Sequence, residues 1–502
     1  MTSLVPRKPY TDEELRKLYP TGLELRQVQV LMRHGERTPV SARFQNAGLN
    51  PFWPYCSVAR HMKSAVLTKG FDGSQPADLL EWKRRLETFG DNDAPVVATG
   101  PEGEIDGVCD MGSLTDKGRQ STYSLGQRLR NLYVDRLGFL PSTLSSTDSF
   151  YLRSTPVPRA LESLEQAFSA LYPPSTREIG PDGKLANPTI FIRGPQDEIL
   201  YPNEGSCRRF AALARAFAQR AAERWNNTPE MEYLNKIYGK WMPAGTKVAV
   251  DSRPRLSGIM DTVNSTLAHG PATRLPDEFY DERARKIMEK IAVDEWFSGF
   301  KESKEYRAVG MGALAADIVQ RMIENVEAEH DGKQAIRFGL SGCHDTSLAG
   351  ILASLGAFNT TEWPPFTSHV AIELFRKKSN ELSPSQLSVQ QQSRWSKLFQ
   401  LASATGSGGN TIGRKPISDL TQAEKDKLNG YYVRIRYNDE PVTVPACRLP
   451  GNHLEGDESF CTLATFKAVV DKFTPVNWKQ QCRMAKDEKA VLPAQPEWAG
   501  EL

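Results

Sequence analysis

Three strand-like segments, each leading into charged residues, constrain the fold of this chain more than any other feature. They are QVQVLM (27–32), SFYLR (149–153) and AIRFGLS (335–341), whose apolar residues alternate or cluster as in buried strands. The second and third run into segments with helical spacing, ALESLEQAFSAL and DTSLAGILASLGAF. Strands followed by helices predict an α/β fold with a mostly parallel central sheet flanked by helices.

Charged residues stand where all three predicted strands end. RHGERTP (33–39) follows the first strand, Arg153 ends the second, and His344 and Asp345 follow the third. Because ligands of such sheets bind outside the carboxyl ends of the strands, we expect these side chains to meet at one site. Two arginines beside an imidazole favour its neutral, nucleophilic form, and they also need an anion to bind.

The middle of the chain is largely helical in pattern and predicts an inserted domain. Residues 166–330 are expected to form a mainly helical cap, while 1–165 and 331–502 form a discontinuous α/β core. Within the core, residues 378–430 are rich in Ser, Gln and Gly at their start and are expected to be a flexible insertion.

Composition excludes several classes of protein. The net charge of +2 and the lack of a dominant basic run argue against nucleic acid as a partner. No stretch approaches eighteen apolar residues, so no transmembrane segment is expected. The first twenty residues lack an apolar core and contain Asp12, Glu13 and Glu14, which is not the pattern of a secretory signal. An intracellular, cytoplasmic protein is expected, with a mitochondrial location as the alternative and secretion disfavoured.

Seven cysteines are spread thinly along the chain. Their number is odd, and they form no CxxC pair that would indicate zinc. One bridge among Cys447, Cys461 and Cys482 stays open, but reduced thiols are the default expectation for an intracellular protein.

The motif R-H-G-x-R-x-P at Arg33–Pro39 resembles the signature of the histidine acid phosphatases, branch 2 of the histidine phosphatase superfamily. LTDKGRQ (114–120), YLRSTPVPRALES (151–163) and SGCHDTSLAGIL (341–352) resemble further elements of that family, in the same order. Within the family, EILYPNEGSC, WPPFTSHVAIELF and the tail from Val444 to Cys482 are most similar to the lysophosphatidic acid phosphatases.

This resemblance implies a role for each motif residue. His34 would attack phosphorus and become a phosphohistidine, with the carbonyl of Gly35 fixing its other ring nitrogen as a donor. Asp345 would protonate the leaving oxygen and later deprotonate the attacking water, so activity should fall as pH rises. No metal or cofactor is expected, because arginines supply the positive charge. The expected phosphate-binding residues are Arg33, Arg37, Arg153 and His344.

The predicted function is an acid phosphatase acting on phosphate monoesters, with lysophosphatidic acid or related lipid monophosphates as the suggested substrates. A phytase or inositol-phosphate phosphatase and a non-catalytic phospholipid-binding scaffold stay open as alternatives. The expected partner is a small phosphomonoester, with transient contact to a lipid substrate left open, and the sequence does not predict an oligomeric state. Glu36 receives no role, and Arg159 and His369 are expected to be structural.

Overall fold

The computed structural model describes residues 2–59, 61–66, 78–180, 185–186, 188–378, 411–485 and 488–502. Within these ranges the strands are, in chain order, β1 (Leu23–Arg33), β2 (His61–Val66), β3 (Asp78–Lys83), β4 (Glu87–Phe89), β5 (Pro95–Val97), β6 (Phe150–Ser154), β7 (Ile190–Ile192), β8 (Phe338–Cys343), β9 (His369–Lys377), β10 (Tyr431–Tyr437), β11 (Glu440–Val442), β12 (His453–Leu454) and β13 (Asp457–Thr462).

The α-helices of the described chain are α1 (Asp12–Leu18), α2 (Asp116–Arg130), α3 (Pro158–Leu171), α4 (Arg208–Trp225), α5 (Pro229–Tyr238), α6 (Leu256–Ala268), α7 (Glu282–Glu302), α8 (Lys304–Arg307), α9 (Ala313–His330), α10 (Asp345–Ser354), α11 (Gln422–Asp426), α12 (Leu463–Asp471) and α13 (Trp478–Gln481). None of the helices in this part of the chain combines the length and the apolar character that crossing a bilayer requires.

The central sheet is mixed, with one parallel half and one antiparallel half. Its order among the described strands is β12-β13-β10-β9-β1-β8-β6-β7, with β11 beside β10. The strands β1, β8, β6 and β7 are parallel, as predicted, whereas β9 to β13 pair antiparallel. The prediction of a mostly parallel sheet therefore holds for one half only. The tight turn at Asn438–Asp439, where both residues have positive φ, joins β10 to β11, and so short a connection can only join antiparallel strands.

Alternation along β1 decides what packs on each face of the sheet. Val28, Val30 and Met32 belong to the apolar cluster that α2 and α3 cover. Gln27 and Gln29 are also buried, and their amides donate to the carbonyls of Ile336 and Ile318 at 2.8 and 3.0 Å. Buried amides are tolerated there because their hydrogen bonds are made, so β1 lies at the centre of the sheet with helices on both sides.

The predicted helices of the middle region are present, but a separate cap domain is not confirmed. Residues of α4 to α9 share one continuous apolar cluster with β9, β10, α10 and α12. The boundaries 166–330 therefore stay a prediction. Of the expected insertion at 378–430, residues 379–410 lie outside the described residues, and the remainder includes α11.

Three disulfides correct the expectation of reduced thiols. They join Cys56 to Cys109, Cys207 to Cys482 and Cys447 to Cys461. Cys343 is the free cysteine of the described residues, and it is buried. The sequence did not predict this pairing, because one bridge joins residues that are 275 positions apart in the chain. The fold brings the Cα atoms of those two residues to within 4.5 Å of each other.

Candidate active site

The ends of three parallel strands form the floor of the site. The backbone N–H of His34, directly after β1, donates to the carbonyl of Cys343 at the end of β8 at 3.1 Å. The N–H of Thr155, directly after β6, donates to the carbonyl of Gly342 at 3.1 Å. The three charged motifs therefore start from one edge of the sheet, as their positions in the sequence predicted.

His34 is held as a neutral ring with one nitrogen engaged. Its side chain is 1 % exposed, and Nδ1 lies 2.9 Å from the carbonyl oxygen of Gly35, so Nδ1 is the donor and Nε2 keeps its lone pair. Burial lowers the pKa of His34 far below its ordinary value, and the charges of Arg159, Arg33 and Arg37 lower it further. The contact with Gly35 expected from the family is thus present.

Gly35 is a glycine because another backbone lies against it. A Cβ at Gly35 would come within 2.3 Å of the carbonyl oxygen of Gly118 in the first turn of α2. A Cβ at Gly118 would in turn meet the carbonyl oxygen of Glu36 at 2.2 Å. The two glycines let the motif loop lie directly on α2, which explains physically why LTDKGRQ accompanies RHGERTP.

Asp345, the first residue of α10, is held by three donors. Its Oδ2 pairs with Nη2 of Arg33 at 2.7 Å and accepts the indole N–H of Trp363 at 3.0 Å. Its Oδ1 accepts the backbone N–H of Thr346 at 2.8 Å. Burial raises the pKa of Asp345, but the charge of Arg33 and the Trp363 hydrogen bond outweigh burial, and the net pKa is lowered.

Arg37 reaches the site from the other end of the motif. Its Nη2 donates to Oδ1 of Asp261 on α6 at 2.7 Å, and its Nη1 donates to the carbonyl of Thr38 at 3.0 Å. The guanidinium carbons of Arg33 and Arg37 lie 4.2 and 5.6 Å from the ring centre of Phe366. One aromatic ring therefore supports both cations of the motif.

His344 lies beside His34, with ring centres 5.5 Å apart. Its Nε2 is 3.1 Å from the hydroxyl of Thr155, and it is buried. Burial and the charge of Arg159 lower the pKa of His344 well below its ordinary value. The two imidazoles are therefore both neutral, and His344 offers one N–H as a donor.

Arg153 makes a different contact from the one expected of a phosphate ligand. Its Nη2 pairs with Oε1 of Glu198 at 2.5 Å, and both side chains are almost completely buried. Arg159, which we expected to be structural, instead exerts the largest charge effect on His34 and on His344. The reason is position: Arg153 lies in the ladder opposite Ser341, so it points out of a sheet face, whereas Arg159 lies in the first turn of α3.

Two further residues outside the predicted site, Glu36 and His369, are tied into the fold. Glu36 is buried and accepts a short hydrogen bond from Ser121 on α2. His369 is buried at the start of β9, with Nε2 3.2 Å from Oδ1 of Asp439. This contact ties His369 to the turn after β10, and its structural role stays a prediction.

A cavity of about 300 Å³ opens beside these residues. One part of its wall carries Arg33, Arg37 and Asp345. The lining also includes apolar and aromatic side chains and two further arginines: Val40, Met260, Trp296, Trp363, Phe366, Arg43 and Arg255. A ligand here would meet guanidinium groups and aromatic rings together, because Phe366 lies against Arg33 and Trp363 bonds the carboxylate of Asp345.

Sequence reasoning missed Asp261, Trp363 and Phe366. Asp261 is 224 positions from the arginine it binds, and nothing in the local pattern of α6 distinguishes it from a solvated acid. A signal existed for the other two, since WPPFTSHVAIELF had been singled out, but only as part of a resemblance. Tertiary contacts alone give these residues their place in the site.

The sequence pattern of the histidine phosphatase superfamily (branch 2) matches residues 24–415. A probable acid phosphatase of Schizosaccharomyces pombe is 36 % identical over 468 residues, which cover 93 % of this chain and 96 % of the relative. The human lysophosphatidic acid phosphatase type 6 is 24 % identical over 373 residues, covering 70 % of this chain and 74 % of that protein. The predicted family is confirmed by these matches.

A phytase of Hafnia alvei, solved in complex with tartrate, has a similar structure. The TM-score is 0.51 at 12 % identity, and the match covers 93 % of this chain and 100 % of the phytase. At this identity the likeness concerns the fold, and it agrees with a mixed α/β architecture.

Proposed function

The chain belongs to branch 2 of the histidine phosphatase superfamily, and on that premise we propose that it hydrolyses phosphate monoesters through a phosphohistidine formed on His34. It is a phosphomonoester hydrolase of the acid phosphatase type, in keeping with its family and with its yeast relative. One observation supports the mechanism above all others. A neutral imidazole, fixed through Nδ1 to the Gly35 carbonyl, lies buried among arginines that need an anion.

In the first displacement, Nε2 of His34 attacks phosphorus while the ester oxygen leaves. The nitrogen–phosphorus bond forms, the phosphorus–oxygen bond to the alcohol breaks, and Asp345 gives its proton to the departing oxygen. Arg33, Arg37, Arg159 and a donor from His344 stabilise the charge on the remaining phosphoryl oxygens. In this proposal Arg159 takes the place that the sequence assigned to Arg153.

In the second displacement, a water attacks the phosphohistidine. Asp345, now ionised, accepts a proton from that water as the new phosphorus–oxygen bond forms. The nitrogen–phosphorus bond breaks and His34 returns as a neutral ring, with inorganic phosphate as the product. Each proton taken from Asp345 in the first step is returned to it in the second.

The acid dependence follows from the pairing of Asp345 with Arg33. Without substrate, Arg33 helps to keep the Asp345 carboxyl ionised, and its pKa is lowered. A bound phosphate competes for Arg33 and adds negative charge beside the carboxyl, so the pKa of Asp345 rises in the complex. Because the protonated form gives the proton away, activity is highest at acidic pH and falls as pH rises.

Lipid monophosphates such as lysophosphatidic acid are the substrates we propose. The apolar and aromatic side chains that line the cavity, among them Met260, Trp363 and Phe366, suit an apolar group attached to a phosphate. The human relative named for lysophosphatidic acid supports the same choice.

Inositol phosphates are the second candidate, because Arg43 and Arg255 also line the cavity. Both arginines already have carboxylate partners, however. Arg43 lies 3.6 Å from Asp261, and Arg255 makes a short contact with Glu295. Arg33 and Arg37 have carboxylate partners as well, so these pairings do not exclude a polyphosphate, and the apolar lining is what favours the lipid.

The three disulfides bear on the compartment. Bridges of this kind persist in oxidising surroundings and are rare in the cytosol. We therefore propose an oxidising compartment in place of the cytoplasmic location that the N-terminal composition suggested. Counting alkylated thiols in the protein isolated from its source tests this: one free thiol agrees, and seven would contradict it.

The activity itself is tested by hydrolysis of 4-nitrophenyl phosphate at about pH 5 in the presence of a chelator. We expect turnover by the wild type and none by His34→Ala. A wild type that binds lysophosphatidic acid without hydrolysing it would instead favour the scaffold alternative. Comparing kcat/KM for lysophosphatidic acid and for phytate then separates the two candidate substrate classes.

A further inference from the structure

We propose that Trp363 is a positioning residue for the reaction: its indole N–H fixes the Asp345 carboxylate and thereby sets the strength and orientation of the acid that protonates the leaving group. This inference rests on the proposed role of Asp345. It is carried by the 3.0 Å hydrogen bond from Nε1 of Trp363 to Oδ2 of Asp345, made at the wall of the catalytic cavity.

The WPPF segment (363–366) contacts both members of the acid–cation pair. Trp363 donates to Asp345, the carbonyl of Pro364 accepts from Nη1 of Arg33, and the ring of Phe366 lies under the guanidinium of Arg33 at 4.2 Å. The segment therefore fixes Arg33 and Asp345 relative to each other from one side of the cavity. A backbone carbonyl and a ring face can only hold the arginine, so Trp363 alone in this segment acts on the carboxylate.

Trp363 is itself held rigidly. Its side chain is 8 % exposed, and its ring centre lies 5.0 Å from that of Phe297 and 6.1 Å from that of Trp296, both on α7. An indole packed between neighbours keeps its N–H in one direction. The hydrogen bond to Asp345 is therefore a fixed property of the site.

The chemistry of the indole determines which protonation state of Asp345 this contact favours. An indole N–H donates and never accepts, so it stabilises the ionised carboxylate more than the neutral acid. When phosphate draws Arg33 away from Oδ2, Trp363 keeps its hold on that oxygen. The acid is then stronger than it would be with Phe at this position, and the carboxyl plane stays fixed by Trp363 on Oδ2 and Thr346 N–H on Oδ1.

Other charges also act on Asp345, and the test must hold them constant. Arg33 and Arg37 come from the motif loop, His344 precedes Asp345, and Arg159 comes from α3. Cys343, also close to Asp345, has its pKa raised to about 12 by burial and is a neutral thiol at the pH of interest. None of these groups is altered by a substitution at Trp363.

Trp363→Phe is the first variant, with kcat measured against pH on glycerol 3-phosphate, whose alkoxide leaving group needs a proton. We expect the pKa that governs the fall of kcat at high pH to rise by about one unit. We also expect kcat on the acidic plateau to fall about tenfold. With 4-nitrophenyl phosphate, whose leaving group needs little protonation, the plateau should change by less than about threefold.

Trp296→Phe is the matched control. It removes a second indole N–H from the same cavity wall, one that has no acceptor among the described residues. We expect its pH profile to coincide with that of the wild type. The inference is overturned if Trp363→Phe and Trp296→Phe show the same pKa for the fall of kcat with pH and the same dependence of kcat on the leaving group.

Two further measurements keep the test decisive. Should Trp363→Phe fold poorly, benzothienylalanine at position 363 preserves the ring shape and removes only the N–H, and the same shift is expected. Asp345→Asn separates this inference from the proposed mechanism. Wild-type activity of Asp345→Asn on glycerol 3-phosphate would refute the role of Asp345, whereas an inactive Asp345→Asn with an unchanged pKa for the fall of kcat in Trp363→Phe would refute the role of Trp363 alone.

Discussion

The site and one other buried part of the molecule are both rich in arginine, but the charged groups of the two regions differ in how completely they are hydrogen-bonded. The Glu373 cluster consists of Glu373, Arg434, Arg436, Tyr19 and Tyr133. The second cluster, called the catalytic cluster after its proposed role, consists of Arg33, His34, Arg37, His344 and Asp345. Eight of these ten side chains are buried, and Tyr19 and Asp345, one in each cluster, are half-buried, so burial and arginine content do not distinguish a functional site from a structural one.

Hydrogen bonding distinguishes them. In the Glu373 cluster every guanidinium nitrogen of Arg434 and Arg436 donates to an acceptor, and both oxygens of Glu373 accept several donors. In the catalytic cluster the Nε atoms of Arg33 and Arg37 have no acceptor within the described chain. The catalytic cations also face a cavity. Incomplete satisfaction next to open space is what marks a site for an anion.

The largest expected effect is on the catalytic carboxylate. Asp345→Asn should lower kcat for alkyl phosphates about 10³-fold, because the amide can neither give a proton to the leaving group nor take one from water. Its free energy of unfolding should change by less than about 1 kcal/mol, because Asn keeps an oxygen that can accept from Trp363 or Arg33. Steady-state kinetics and urea unfolding together check this, and a large loss of stability with normal turnover would reverse the assignment.

Replacing the carboxylate of the Glu373 cluster by an amide should lower the stability of the fold. Glu373→Gln leaves two buried arginines without their anion and should cost about 3–5 kcal/mol of unfolding free energy. The folded fraction should keep the wild-type KM and pH profile. Chemical denaturation followed by kinetics below the unfolding transition measures both, and an altered pH profile would mean that the clusters are coupled.

The dependence of stability on pH tests the pairing of Glu373 with its two arginines further. Burial acts to raise the pKa of Glu373, but Arg434 and Arg436 outweigh it and lower the pKa to about 2. A carboxyl with a depressed pKa stabilises the fold above its ordinary pKa, and this contribution is lost as pH falls from about 4.5 towards 2. The stability difference between wild type and Glu373→Gln should therefore shrink by on the order of 3 kcal/mol over that window. A difference that does not vary with pH would argue against the pairing.

The smallest expected effect is on phosphate binding, and it distinguishes the roles of Arg153 and Arg159, which lie six positions apart. Arg159→Met should raise the inhibition constant of inorganic phosphate about tenfold to thirtyfold, because one charge-assisted contact is lost. Arg153→Met should leave that constant unchanged and lower the unfolding free energy, because Glu198 loses its buried partner. The opposite outcome, with phosphate inhibition weakened only in Arg153→Met, would restore the assignment made from the sequence.

The sequence brought most residues of the proposed site to attention because they lie in contiguous motifs at strand ends, and their roles stay a proposal. Arg33, His34 and Arg37 share one loop, and His344 and Asp345 begin one helix, so local pattern was enough. The proposal of Arg159 in place of Arg153 rests on their positions in β6 and in the first turn of α3, and a strand end in the sequence does not reveal this.

Other features depend on contacts that the chain makes at long range. The antiparallel half of the sheet pairs strands that lie far apart in the sequence, such as β1 and β9, which the strand–helix alternation upstream did not anticipate. The disulfides join positions up to 275 residues apart, and Trp363 reaches Asp345 from a separate loop. Spacing in the sequence carries no information about such pairs.

Isolation of the covalent intermediate tests the central claim most directly. Asp345→Asn, mixed with 4-nitrophenyl phosphate and quenched in alkali, in which phosphohistidine survives, should carry a phosphoryl group on the peptide that contains His34. The good leaving group allows the first displacement, and the missing base slows the second. Peptide mass spectrometry should find the label on His34 and none in the His34→Ala, Asp345→Asn double variant. A label on another residue, or turnover of substrate by the double variant, would contradict the account.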